Sequence, residues 1–345
     1  MTATRVPFLS LSSEQAEVLL AECGASARHA GRLRRRILAG ADPEHDPHPG
    51  FQLPAGARAA LAERTEWLSL RSERRVAAPD GSEKHLLRLA DGEAVEAVRL
   101  PGKVAGSACL SSQVGCGVAC RFCASGLDGV RRNLAAHEIL EQVALLRRHG
   151  PVQRLVFMGA GEPTHNLREI AAALPVLRDE AELGPRYVLI STVGPAPAID
   201  RLAGLGLKFT LALSLHALDP ALRGELIPTQ RGVDPLGLLD AADRYRAATG
   251  RSYQVEYVLL GGVNDGRADA RELARALRGR RAHVSLIAWN PVPGMPFERP
   301  AQAAVRAFLE VLHEEGTSVT LRNTVGEEAT AACGQLRASA AATEV

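Results

Sequence analysis

Cys116-Gly-Val-Ala-Cys120-Arg-Phe-Cys123, written CGVACRFC, decides how this chain is read. Three thiolates this close hold a metal ion or an iron–sulfur cluster and leave one coordination position open, and an open position serves chemistry where a closed site serves scaffolding. A structural zinc site would show a second Cys pair, and Cys23, Cys109 and Cys333 do not supply one. Three cysteines within eight residues cannot all pair among themselves as disulfides. The N-terminus, MTATRVPFLSLSSEQ, lacks the apolar core of a secretory signal, so a cytoplasmic, reducing location is expected. An iron–sulfur cluster is the preferred reading and zinc its rival.

Outward from that stretch, 345 residues suffice for one large domain and a small one, and 46% apolar residues suffice for a substantial core. No uninterrupted apolar run reaches membrane-spanning length, so no membrane partner is expected. A net charge of +2 decides nothing about nucleic acid, so local clusters matter more. Only Lys84, Lys103 and Lys208 are lysines, and the arginines cluster at 32–36, at 71–75, and at Arg131 and Arg132 beside the cysteines. Each cluster alone reads first as solvated surface; the last has the strongest claim to RNA.

Three pieces are expected: an accessory unit over 1–100, a core over 101–328 and a tail over 329–345. Residues 12–39 read as helical behind a Ser12/Ser13 cap, 41–56 as a loop, 57–70 as a helix, and 73–101 as a strand pair around Asp91-Gly92. Beyond Pro101, strand-length runs (ACLSSQV, RLVFMG, RYVLIST, KFTLALSLH, YQVEYVLL, HVSLIAWN) alternate with helical stretches, of which 134–150 is clearly amphipathic. Alternation implies parallel pairing with right-handed crossovers, and about six repeats imply an α/β fold built as a partial (β/α)6 barrel.

Polar punctuation follows successive strands: Gly161 and Glu162, then Ser191 and Thr192, then Ser214, Leu215 and His216, then Asn290. One such set is a turn; four at successive strand ends describe a ring around one cavity. A lone His216 would more often be structural, and its place beside Ser214 raises its interest.

With these residues in view, CxxxCxxC with Phe122 before the last cysteine resembles the signature of radical S-adenosylmethionine (SAM) enzymes. CLSSQVGC, MGAGEP, SLH, GVND, WNP and AACGQL, in that order, resemble one branch: the adenine methyltransferases of 23S ribosomal RNA and transfer RNA, with the related carbon-8 resistance methyltransferases. The resemblance implies a [4Fe-4S] cluster on Cys116, Cys120 and Cys123, with SAM on the open iron. It implies SAM contacts at Gly161, Glu162, Ser191, Ser214, Leu215, His216 and Asn290, and packing of Phe122 near the SAM adenine. It makes Cys333 the cysteine that is methylated as an intermediate and Cys109 the partner that resolves the RNA-linked intermediate by a Cys109–Cys333 disulfide. Glu96 aligns with a proton acceptor, against the alternative of a solvated strand glutamate. RNA gripped through the 28–36 arginines, an electron donor such as flavodoxin, and a monomeric state complete the implied partners; Cys23 stays structural.

Adenine carbons 2 and 8 are poor nucleophiles, which is why the family is built around a radical and a covalent carrier. Departures fall at Ala160, in the HAGRLRRRI helix, and at Glu327, Glu328 and Thr330; Pro163 points to carbon 2. The alternatives are a carbon-8 enzyme or a diverged paralogue on another RNA, a radical enzyme on a peptide or small molecule, and a zinc or RNA-binding module without catalysis.

Overall fold

The computed structural model describes residues 5–43, 52–102, 105–322, 326 and 330–337. Lys103, Glu327, Glu328 and the middle of the expected 41–56 loop lie outside them.

The chain opens with β1 (Val6–Pro7), α1 (Ser13–Glu22), α2 (His29–Leu38), α3 (Ala55–Arg64) and β2 (Thr65–Glu66), the two short strands pairing in parallel. Ser12 and Gln15 close a reciprocal capping box at the start of α1: the Gln15 amide donates to Ser12 Oγ at 3.1 Å and the Ser12 amide to Gln15 Oε1 at 2.8 Å. The single helix expected over 12–39 is in fact two. Gly24 adopts φ +79° and the Ala25 amide donates back to the Leu20 carbonyl at 2.9 Å, a glycine C-terminal cap that ends α1 before the arginine run. Likewise α3 stops at Arg64, short of the expected residue 70.

Three antiparallel strands follow, β3 (Arg71–Ala77), β4 (Glu83–Arg88) and β5 (Ala94–Leu100), with the expected turn at Asp91-Gly92, where Gly92 takes φ +86°. Next come β6 (Gly106–Cys109), β7 (Gln113–Gly115), β8 (Val130–Asn133), α4 (Ala136–Arg147), β9 (Val152–Phe157), α5 (Leu167–Asp179), β10 (Val188–Thr192), α6 (Ala196–Gly204) and β11 (Thr210–Ser214). The chain continues through α7 (Pro220–Leu226), α8 (Pro235–Thr249), β12 (Tyr253–Leu259), α9 (Arg267–Leu277), β13 (Ala282–Ala288), α10 (Gln302–Glu314) and β14 (Val319–Leu321).

One sheet joins almost everything, in the order β14-β13-β12-β11-β10-β9-β6-β5-β4-β3. From β6 to β14 every pairing is parallel, which gives the six expected β/α strands plus β14, and the two edge strands do not close on each other. The antiparallel β5–β6 pairing carries the sheet across residue 100, so the small strands extend the barrel sheet. The parallel strands read as apolar runs because both of their faces are covered, and Ile190, Leu211, Val255 and Val284 are completely buried.

Buried polar joints weld the N-terminal segment to the barrel. Glu141 of α4 accepts from the Ser69 amide (2.7 Å), the Ser69 hydroxyl (2.9 Å) and the Leu70 amide (2.8 Å). Arg34 of α2, 2% exposed, donates to Glu180 at 2.6 Å, and Arg147 donates to the Leu38 and Ala181 carbonyls at 3.0 Å each. The arginine-rich helix therefore sits where α4 and α5 end and β9 begins, at the opposite end of the strands from their polar C-terminal residues.

Candidate active site

The cysteine loop runs from the end of β7 to β8 and is wound tightly by glycine. Gly115 has φ +75°, and a Cβ there would sit 2.0 Å from the Gly129 carbonyl oxygen; a Cβ on Gly126 would sit 2.9 Å from Ala119 Cα. The Cys116 amide donates to the Gly129 carbonyl (2.9 Å) and the Cys123 amide to the Cys120 carbonyl (3.1 Å). The barrel mouth grips the loop from outside: the Thr229 hydroxyl donates to the Val118 carbonyl (3.1 Å) and the Trp289 indole to the Phe122 carbonyl (2.8 Å).

Cys116, Cys120 and Cys123 are free thiols. Burial pushes Cys116 up to about 12 and raises Cys120 and Cys123, and Cys116 and Cys120 are raised further by the negative charge of Cys123. Such a trio stays protonated unless cations occupy the space it encloses, which is the behaviour of a metal-binding donor set. Among the described residues no group of three His, Cys, Asp or Glu side chains is arranged to hold a single metal ion. A polynuclear cluster meets each thiolate through a different iron and needs no common point, so the donor set fits a cluster better than zinc.

MGAGEP follows β9 and packs on the SSQ of CLSSQVGC, which explains why the two strings occur together. The Ser112 amide donates to the Ala160 carbonyl at 2.8 Å. A Cβ on Gly159 would lie 2.7 Å from the Leu110 backbone, and one on Gly161 (φ +106°) 2.6 Å from Ser112 Oγ. Both glycines are thus required by loop-on-loop contact, with Gly161 also lining the cavity. Glu162 is 3% exposed and already engaged: it accepts from the Thr164 amide (3.0 Å), the Thr164 hydroxyl (2.8 Å) and the Val193 amide (3.1 Å). Burial raises its carboxyl against these bonds.

Ser191 and Ser214, at the ends of β10 and β11, share a hydrogen bond of 3.0 Å across the cavity wall. His216 takes φ +63°, unusual for a side-chain-bearing residue, and its ring is fixed: the Val258 amide donates to Nδ1 at 3.1 Å, which places the proton of the neutral ring on Nε2. Burial, with Arg223 adding to it, pushes His216 down to about 3, so it is neutral at ordinary pH. The Asn264 amide of the GVND string donates to the His216 carbonyl and the Val258 carbonyl, each at 2.8 Å, so that string braces the turn that carries His216. Phe122 stacks edge-to-face on His216 with centroids 4.9 Å apart.

Leu215 is fully buried in the main core, and its side chain is not among the cavity lining. Asn290, 2% exposed, donates to the Cys333 carbonyl at 3.2 Å and lines a second cavity rather than the one that Cys116, Cys120 and Cys123 line. Sequence reasoning missed Arg223, Glu256 and Trp289. Arg223 is completely buried and donates to the Leu215 (3.0 Å) and Val193 (2.8 Å) carbonyls, tying two strand ends together; among so many arginines nothing singles it out. Glu256 carried a legible signal, a carboxylate inside the apolar run YQVEYVLL, and it lines the first cavity.

The tail lies across the mouth. The Ala124 amide donates to the Gly334 carbonyl and the Ser125 hydroxyl to the Leu336 carbonyl, both at 2.7 Å, and Arg337 holds Asp128 with both arms at 2.7 and 2.8 Å. Glu96 is 5% exposed and is not a solvated strand residue: it accepts from the Arg337 amide at 2.6 Å and pairs with Lys84 at 3.0 Å. Lys84 in turn donates to the Thr330 hydroxyl (2.6 Å) and carbonyl (3.3 Å), so the two residues clasp the tail on either side of Cys333.

Cys333 borders both cavities, one of about 140 Å³ with Cys116, Cys120 and Cys123 and one of about 300 Å³ with Cys109. Both sulfurs are free. Cys109 is 8% exposed; burial pushes it up to about 12, the charge of Cys333 acting in the same direction.

Residues 110–277 match the family model described as the Radical SAM superfamily. The chain is 45% identical over 338 residues to a protein of Rhodopirellula baltica, covering 96% of this chain and 90% of that one. It is 40% identical to one of Gloeobacter violaceus, covering 96% and 95%. Both carry the name probable dual-specificity RNA methyltransferase RlmN. The crystal structure of a radical SAM methyltransferase from Sphaerobacter thermophilus superposes with a TM-score of 0.89 at 38% identity, covering 97% of this chain and all of that one.

Proposed function

The chain belongs to the radical SAM superfamily and, within it, to the dual-specificity RNA methyltransferases, and from that membership we propose that it methylates carbon 2 of adenine in 23S ribosomal RNA and in transfer RNA. It is a SAM-dependent RNA methyltransferase, an enzyme whose cofactors are SAM and a [4Fe-4S] cluster. Cys116, Cys120 and Cys123 hold the cluster, and Gly161, Ser191, Ser214 and His216 line the space beside it. Bound there, the cluster supplies the electron that splits SAM to a carbon radical.

The chain's own residues do the rest. Cys333 carries the methyl group as a thioether, since sulfur takes an electrophilic methyl far more readily than an aromatic carbon does. Glu96 and Lys84 hold the tail so that this sulfur borders both cavities. Glu162, with both oxygens occupied by protein donors, braces the loop and leaves backbone and hydroxyl groups to meet SAM. The neutral His216 presents Nε2–H as a fixed donor. Cys109 stands in the second cavity to take the ring proton, which then completes the methyl group as the carbon–Cys333 bond breaks; the two sulfurs join as a disulfide, one electron leaves to the electron carrier, and external thiols reduce the disulfide.

The position of Cys333 between the two cavities carries this reading, because one sulfur must meet the radical on one side and the base on the other. The target base must leave its stack to reach a buried sulfur. The protein works as a monomer in the cytoplasm with an electron donor such as flavodoxin.

The test is mass spectrometry of ribosomal and transfer RNA from cells with and without the gene. The expected result is loss of 2-methyladenosine from both pools; loss of 8-methyladenosine would move the target carbon, and no change in either would remove the assignment.

A further inference from the structure

We propose that Arg322 is the positioning residue of the thiol pair: its guanidinium is the counter-charge that favours loss of the Cys109 proton beside Cys333. Arg322 directly follows β14, and its amide donates to the Leu286 carbonyl at 2.8 Å, which fixes its backbone to the barrel sheet. Its side chain enters the larger cavity, where Cys109 and Cys333 also lie, and among the described residues lining that cavity it is the one charged group. Nη1 lies 3.2 Å from the Met158 sulfur, and the Met158 amide is the backbone group that donates to the Cys109 sulfur. A thiolate at Cys109 would therefore meet one amide from the residue after β9 and one cation from the residue after β14.

Glu256 is the competing partner. Its carboxylate is 3.5 Å from Arg322 Nη1, a loose contact beside the two-armed grip of Arg132 on Glu138 at 2.8 and 2.9 Å. An arginine committed to a carboxylate makes the second kind of bond. Among the described residues Arg322 instead makes its side-chain contacts through Nη1, between Glu256 on one cavity and the two sulfurs on the other. Its environment agrees: burial works against its charge, but Cys333, Glu256 and Cys109 together hold it on. Burial and Cys333 both press the Cys109 proton on, and Arg322 and the Met158 amide are what draw it off. A group that is to take a proton from a base must be anionic beforehand, and the proton it sheds in becoming so goes to solvent, with no electrons moved.

This rests on reading Cys109 and Cys333 as the reacting pair, but its test uses neither RNA nor turnover, so the two fail separately. The full chain, cluster-loaded, reduced and anaerobic, is treated with iodoacetamide over a pH series, and the Cys109 and Cys333 peptides are quantified by mass spectrometry. The groups facing Cys109 in that titration are Arg322, Cys333 and, through Arg322, Glu256. R322Q is expected to slow Cys109 alkylation about tenfold near neutral pH and to move its profile up by roughly one unit. R322K, which keeps the charge and loses the fork, stays within about threefold of the unmutated protein. E256Q speeds Cys109 about twofold, since it removes the competing anion, and R322Q/E256Q stays as slow as R322Q. Cys109 reacting normally in R322Q, or regaining its normal rate in the double variant, would overturn the proposal, because Arg322 would then serve only Glu256. Should R322Q loosen the fold, Cys109 would speed up rather than slow, and the R322K and E256Q rates decide: a slower Cys109 in E256Q overturns the assignment.

Discussion

The two cavities meet at Cys333 but are held together by different means. The first cavity also draws walls from several strand ends, but its three cysteines come from one short loop, shaped by Gly115 and Gly126 and held mainly by backbone hydrogen bonds. The Cys109-side cavity takes its walls from residues as distant in sequence as Leu100, Val156, Arg322 and Leu336, and its tail is held largely by side chains, Lys84, Glu96 and Asp128 among them. A backbone-built site keeps its shape through most substitutions; one held by side chains can be loosened one contact at a time. The cysteine loop thus depends on few side chains, whereas the placement of Cys333 in the tail depends on several.

The largest effects should separate these halves. Cys116→Ala should remove iron and sulfide from the anaerobically prepared protein, seen as loss of brown colour, and with them all methylation. Cys333→Ala should abolish methylation just as fully, on the order of a thousandfold or more, while iron content stays normal. Iron lost from Cys333→Ala would mean that the halves are one cooperative site.

Lys84→Ala comes next, because Lys84 holds the tail and is not itself a reacting group. Removing its bonds to Thr330 and Glu96 should lower kcat about tenfold through misplacement of Cys333, with KM for SAM and iron content little changed. Glu96→Gln keeps an acceptor for the Arg337 amide. A fall no deeper than in Lys84→Ala would mark Glu96 as a clasp; a fall a hundredfold deeper would mark it as a proton acceptor.

A smaller, global effect should come from acid. His216 is depressed to about 3 and His85, also buried, to about 4, both by burial first. In the unfolded chain both bind protons near pH 6.5, so stability is full above that value and declines as pH falls toward the folded values. Each should cost about 2 kcal/mol by pH 5. Thermal melts between neutral pH and pH 5 measure the slope, and His85→Phe should flatten its share. Least of all, Arg131→Ala should leave the thermal midpoint essentially unchanged, since its pair with Glu93 is 64% exposed on the arginine side. A large loss of RNA affinity in that variant would make it a contact from the radical side of the mouth.

Much of this architecture is legible in the amino-acid sequence. Alternating apolar runs mark the strands and their parallel order because two-sided burial leaves no room for polar alternation. The cysteine loop is legible because its ligands are contiguous. The break between α1 and α2 is harder to see although Gly24 marks it, since helical propensity on both sides outweighs one residue. The arginines of α2 suggest an RNA surface, whereas the fold takes Arg34 inside to meet Glu180, far along the chain.

By itself, then, the sequence determined which groups this protein owns and which short loops present them: three sulfurs on a glycine-wound turn, polar residues at strand ends, and a cysteine near the C-terminus. Only the tertiary structure decided who faces whom. Glu96 under the tail, Asn290 beneath Cys333, and Arg322 in one cavity with Cys109 are juxtapositions of segments separated by scores or hundreds of residues. Local spacing carries no information about such pairings, because they are set by the order in which ten strands pack into one sheet.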